Sequence, residues 1–177
     1  MTKNIIFILS TVFLVLFQIS FVHEFYFFRS NINIVLLAVV FLAVMSNSRR
    51  SLSFAILAGI MLDIYSPFTF GINTLALVIP VFLIHNVFRK LLTRKSLIST
   101  IIVMAMSVAV YHGVLLFLST LFFWLGWRDI SASIAPEYLL LVLNQILWHS
   151  AAISLLFLLM RMISQKIKLN FLINENV

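Results

Sequence analysis

The chain has 177 residues, of which 63% are hydrophobic and only 10% charged, where ordinary soluble domains carry roughly 25% charged residues. With a mean hydropathy of +1.17, it has too few polar residues to cover a soluble enzyme or nucleic-acid-binding domain, and too few charges for a disordered tail. The net charge of +7 comes from twelve Lys and Arg set against five Asp and Glu. These cations cluster between apolar runs, which makes lipid headgroups, not nucleic acid, their natural neighbours. There is no cysteine, so disulfides, thiol catalysis and Cys-based metal sites are excluded together.

Six apolar runs predict an all-α polytopic membrane protein with transmembrane helices at about 5–22, 32–46, 52–68, 70–88, 97–125 and 138–160. A basic tail follows at 161–177, and the whole of 1–177 reads as one transmembrane domain. The first run has the Lys3 flank of a signal peptide, but it is too long and lacks a small-residue cleavage pattern, so it reads as an uncleaved helix. A span needs about 20 residues to cross about 30 Å of hydrocarbon. The second and third runs fall short on strict apolarity, and a single re-entrant hairpin is their alternative. The fifth is long and should tilt or continue past the interface. Trp124 and Trp127 at its end fit an aromatic belt.

Charge favours six crossings. With Met1 cytoplasmic, one side holds Lys3, Arg49, Arg50, Arg89, Lys90, Arg94, Lys95, Arg161, Lys166 and Lys168, and the other only Arg29 and Arg128. Glu24, Asp129 and Glu137 then face outward and Glu175 lies in the tail. Both termini are predicted to be cytoplasmic. The tail mixes Lys166 and Lys168 with Met162, Ile163, Ile167 and Phe171, as a basic amphipathic extension or as a helix end with snorkelling lysines.

Asp63 is the acid set deep in an apolar run, past the membrane centre, where insertion costs about 2.5–3.5 kcal/mol. It reads either as a proton or ligand site or as an acid that accepts hydrogen bonds where the third and fourth spans meet. Ser66, Pro67, Thr69, Gly71, Asn73 and Thr74 supply turn chemistry beside it. Pro67 should stop the helix, and Gly59 with Ala55 forms a small-xxx-small pair for close helix approach. His112 and His149 fall at a depth similar to Asp63, and Gln145 shares a face with His149. An Asp63–His112–His149 cluster is one reading, as a metal or proton site, and interhelical hydrogen bonding is the other. His23 and His85 sit near span ends, and Pro80 should kink the fourth span. No phosphate loop, carboxylate pair or nucleophile with a base is present in the sequence, so no enzyme template fits, and no cofactor or metal is expected.

The stretch from Gly59 through Asp63 and Gly71 to Leu75 resembles the signature of the bacterial rod shape-determining MreD family, a glycine, an aspartate four residues on, and a second glycine after a turn. The preceding run from Asn33 to Ala38, the length and the short loops are also similar. A proline common before the family's second span is replaced here by Asn31-Ile32-Asn33. The resemblance implies a non-enzymatic adaptor of cell-wall elongation in the inner membrane. Its partners would be an MreC-type membrane protein and, indirectly, an MreB-type filament, a RodA-type glycosyltransferase and a class B penicillin-binding protein. It also implies a fold like the S component of energy-coupling-factor transporters. On this reading Gly59, Asp63, Pro67, Gly71 and Asn73 shape a partner groove, and His112, Gln145 and His149 make intramembrane polar contacts. A vitamin-binding S component is the alternative. Against it, the first span has no alanine or glycine for docking, and Asn31, Asn33, Thr69, Asn73, Arg128 and Asp129 make a thin ligand cage. A proton-coupled carrier using Asp63 is a third class.

Overall fold

Each apolar run becomes a helix, and the polar punctuation between runs sets the helix ends. A computed structural model of the chain describes residues 2–22, 32–86, 97–126 and 136–174. Helix α1 covers Thr2–Phe17 and continues as a π-helical turn over Gln18–Val22, followed by α2 (Ile34–Met45), α3 (Ser48–Tyr65), α4 (Ile72–Asn86), α5 (Leu97–Trp124) and α6 (Pro136–Asn174). No strand occurs among the described residues. His23, Glu24, Arg29, Asn31, Arg89, Lys90, Arg94, Lys95, Trp127, Arg128, Asp129 and Glu175 lie outside them, as do the side chains of Lys3, Glu137, Ile163, Lys166, Ile167, Lys168 and Phe171.

Three boundaries differ from the sequence expectation. Helix α3 begins at Ser48, so exposed Arg49 and Arg50 belong to its first turn rather than to a loop. It stops at Tyr65 rather than 68 because Pro67 forces the preceding residue out of the helical region, and Ser66 is extended at φ −87°, ψ 145°. Helix α6 carries its backbone through to Asn174, so the basic tail begins as helix. Pro80 lies inside α4 and is buried there.

Length sorts the helices. At 1.5 Å per residue the 28 residues of α5 reach about 42 Å, whereas the 12 residues of α2 reach only about 18 Å. Helix α5 and the Tyr138–Met162 part of α6 are long and apolar enough to cross a membrane, while the apolar stretches Ile5–Ser20, Ile34–Met45 and Ile72–Asn86 are shorter.

Short α2 is the axis of the bundle and touches every other helix. Its Val35, Leu36, Val39 and Val40 are fully buried against Ala55 and Ala58 of α3, Leu77 and Val81 of α4, and Met104 and Val108 of α5. Peripheral α1 and α6 each bring few residues inward, with Val15 and Ile153 in the core. Polarity is inverted relative to a soluble bundle. Ile6, Phe13, Ile64, Phe70, Phe117, Leu140 and Leu147 are exposed, while Thr11, Ser51, Asp63, Asn73, Ser107, His112, Gln145 and His149 are buried. Such a surface is stable against hydrocarbon and not against water. The buried hydroxyls of Thr11 and Ser107 satisfy themselves on helix carbonyls one turn back, at 2.8 Å and 2.7 Å.

The inverted packing predicts an asymmetry. Leu36→Ala should destabilise the bundle by about 2–5 kcal/mol through a core cavity. Phe13→Ala, at a position 71% exposed, should change stability by no more than about 0.5 kcal/mol. Unfolding midpoints of the two variants in lipid nanodiscs check this.

Candidate functional site

The first turn of any helix leaves backbone N–H groups without intrahelical partners. Helix α4 starts inside the bundle, and its N-cap position is Gly71, which has no side chain to offer. Asp63, two residues before the end of α3, supplies the missing acceptors. Its Oδ1 accepts from the Asn73 N–H (2.8 Å) and from Asn73 Nδ2 (3.0 Å). Its Oδ2 accepts from the Thr74 N–H (3.1 Å) and from the Thr74 hydroxyl (2.5 Å). The Ile72 N–H turns back to the Thr69 carbonyl (3.3 Å), and Leu75 makes the first true helical bond to Gly71 (2.9 Å). The carboxylate thus replaces water at a helix end where the helix dipole favours negative charge. It is only 4% exposed.

Both glycines of the signature have a physical reason. A Cβ on Gly59 would lie 2.5 Å from the Thr74 Cα, a backbone atom that cannot yield. The close approach of α3 to α4 at that point is what brings Asp63 within reach of the α4 N-terminus, one turn further along. Gly71 has φ +102°, a conformation that side chains rarely adopt, with open space around it. At the opposite end of the same hairpin, Ser51 Oγ and His85 Nε2 are 2.9 Å apart, so α3 and α4 are pinned at both ends.

A second helix start, that of α2, is closed in the same way by other helices. Asn33 caps it, its Oδ1 accepting from the Leu36 N–H (2.9 Å). Gln18, in the π-helical turn after α1, accepts from the Ile34 N–H through Oε1 (2.8 Å). The Asn33 N–H reaches His149 Nε2 of α6 (3.1 Å). His149 Nδ1 lies 2.8 Å from the Gln145 carbonyl, so Nδ1 carries the proton in the neutral ring and Nε2 accepts. The Asn33 carbonyl, also 3.1 Å from Nε2, is then a neighbour rather than a partner. Gln145 Oε1 accepts from His112 Nε2 (2.7 Å), and His112 Nδ1 accepts from the Tyr138 hydroxyl (2.8 Å). Asn33 Nδ2 donates to the Tyr111 hydroxyl (3.4 Å).

The residues singled out from sequence therefore divide into two groups. Gly59, Asp63, Gly71 and Asn73 meet at the α3–α4 junction, and Pro67 ends α3 there. His112, Gln145 and His149 form a chain between α5, α6 and the start of α2. The single Asp63–His112–His149 cluster considered above is not formed, because Asp63 spends its oxygens on α4 and the histidines share Gln145. Among the described residues no group of three or more His, Cys, Asp or Glu is placed to hold a metal ion. Sequence reasoning missed Gln18 and Tyr111; it grouped Asn33 and Asn73, 40 positions apart, only within a thin ligand cage, and the two line one open cavity of about 340 Å³. The signal available was the shortness of the second apolar run, which leaves space beyond its N-terminus.

These features define a small helical bundle of membrane type, with an apolar surface and an apolar core that encloses a few hydrogen-bonded polar side chains, built around an aspartate-capped helical hairpin. The profile of the rod shape-determining protein MreD matches residues 1–167, and the chain belongs to that family. Membership implies a role in rod shape determination. No curated protein and no solved structure matches the chain.

Removing the cap has a calculable effect. Asp63→Ala leaves two backbone N–H groups and two side-chain donors without an acceptor and should cost about 2–4 kcal/mol. Asp63→Asn keeps one acceptor oxygen but turns an amide NH₂ toward two donors, of which the Thr74 hydroxyl can rotate to accept, and should cost roughly half as much. Gly59→Ala should be damaging through overpacking, by about 1–3 kcal/mol. Gly71→Ala should cost about 1–3 kcal/mol through backbone strain alone. Thermal unfolding in nanodiscs ranks the four variants. A fully stable Asp63→Ala protein would contradict the capping role.

Proposed function

We propose that this protein is a non-enzymatic adaptor of the cell-wall elongation machinery, a six-span inner-membrane protein with both ends in the cytoplasm and a fold of the S-component kind. Its task is to hold membrane partners, an MreC-type protein first among them, through the faces of its helices. Through that partner it would join an MreB-type filament, a RodA-type glycosyltransferase and a class B penicillin-binding protein. The observation that carries this reading is the use of Asp63. Four donors from α4 occupy both of its oxygens, so the deeply placed acid serves the shape of the α3–α4 hairpin and has no acceptor left over for chemistry or proton relay.

The hairpin presents Ile60, Ile64 and Phe70 on its outer side, exposed by 38%, 64% and 64%. A partner's transmembrane helix would pack on this ridge, where the turn fixed by Asp63 sets the ridge's angle to the bundle. Association between helices in lipid depends on close packing more than on hydrophobicity, so a displaced ridge loses its partner even when the protein remains folded.

Cytoplasmic reporters fused to either terminus should both report the cytoplasmic side. Affinity purification from native membranes should recover an MreC-type protein, and Asp63→Ala should lower that recovery more than Asp63→Asn. Opposite sidedness of the two ends would end the six-span reading. Full partner recovery by a well-folded Asp63→Ala variant would end the assignment of the junction as the docking face.

A further inference from the structure

The open cavity lies at the bundle end where α2 starts, beside the α3–α4 turn. Gln18, Ile19, Asn33, Tyr111 and Asn73 form its floor and sides, with Leu62 and the Tyr65-to-Pro67 segment at the α3 end. Two of its polar side chains are more than nine-tenths buried and yet incompletely used. Asn73 is 7% exposed. It gives its N–H and Nδ2 to Asp63, and its Oδ1 has no partner among the described residues. Tyr111 is 6% exposed. Its hydroxyl oxygen accepts from Asn33 Nδ2, and its proton has no acceptor among the described residues. No buried side-chain N or O among the described residues is without a partner and sealed from solvent, so the free Asn73 oxygen opens onto the cavity it lines.

We infer that this cavity binds an uncharged, hydroxyl- or amide-bearing group of about monosaccharide size, recognised by the Tyr111 hydroxyl as donor and Asn73 Oδ1 as acceptor. A group that both gives and takes a hydrogen bond completes both side chains at once. The described lining carries no Lys, Arg, Asp, Glu or His, so an ion brought there would lose its hydration without a counter-charge. The volume is at the lower end of the range for ligand pockets, about 300–1,000 Å³, which suits one ring or one headgroup and not an acyl chain. A free sugar-like solute and the headgroup of a neutral glycolipid share this chemistry. The inference does not depend on the partner-docking reading, because Ile60, Ile64 and Phe70 do not line the cavity.

The test uses the full chain in phosphatidylcholine nanodiscs, with glucose in solution and monoglucosyl diacylglycerol in the bilayer as separate probes, and binding read by calorimetry and native mass spectrometry. Saturable binding of one molecule per chain is expected from at least one probe. Glucose binding assigns a soluble source, and binding of the glycolipid alone assigns a headgroup. Tyr111→Phe should weaken binding about threefold to tenfold, as loss of one neutral hydrogen bond does. Ile19→Trp, on the peripheral α1 turn, should fill the cavity and abolish binding without touching either polar group, and phosphatidylglycerol should not compete. Absence of saturable binding of both probes to the unaltered protein would overturn the inference. Unchanged affinity in Ile19→Trp would do so too, as would a polypeptide segment of a co-purified partner cross-linked into the cavity.

Discussion

A helix that begins where there is no water must find acceptors for its first N–H groups in the protein, and in this bundle the Asp63 carboxylate does so for α4. The rest of the hairpin follows from that requirement. Asp63 can reach the α4 N-terminus only if α3 and α4 nearly touch, which requires a residue without Cβ at Gly59 against Thr74. The chain can return so tightly only through a residue tolerant of positive φ at Gly71. Pro67 ends α3 soon after Asp63, leaving the turn just long enough to present Asn73 and Thr74 to the carboxylate. Glycine, aspartate and glycine at these spacings are therefore one device, and none of the three performs its part without the other two.

The same constraint acts a second time at α2, with a different solution. No acid is used there. Asn33 caps from within, and Gln18, His149 and, through it, Gln145 close the helix start from α1 and α6. Neutral amides and imidazoles suffice because each is itself bonded onward, and among the described residues no side-chain N or O sealed from solvent lacks a partner. The consequence is geometric. A helix of about 18 Å cannot reach both sides of a bilayer. At its N-terminal end lies the open cavity, lined by Asn33 and Gln18, which cap the helix. Non-helical backbone at that depth is tolerated where it lines a cavity or is buried in protein.

Much of this could be read in the sequence. The positions of the helices follow from the apolar runs, although the second and third are short enough to leave a re-entrant alternative, and the end of α3 follows from Pro67. That Asp63 would serve a junction rich in short polar residues was one of two readings, and the carboxylate's four bonds to α4 are of that kind. What could not be read was pairing across distance. Gln18 looks like one polar residue near the end of a span, and Tyr111 like one aromatic among many. Their roles depend on α1 and α5 packing against the start of α2, and no local pattern encodes that. His112 and His149 were placed at a depth similar to Asp63, but depth along parallel axes does not decide which helices are neighbours. Gln145, one turn from His149 and across from His112, decides it instead.

The hairpin has two sides with different physics. Its outer side is apolar and featureless in chemistry, so any specificity there must come from shape, and shape is set by the angle at which α3 and α4 leave the turn. Its inner side has polar groups left partly unpaired, so specificity there comes from hydrogen bonds. Asn73 belongs to both. It helps clamp Asp63 to α4 through its two N–H donors while its oxygen faces the cavity. A molecule that engaged that oxygen would draw on the same side chain that holds the turn, so occupancy within and geometry without would be coupled through a single amide. Any such coupling is reciprocal. A partner seated on the outer ridge would alter the affinity of the cavity by the same factor with which an occupant alters the seating of the partner.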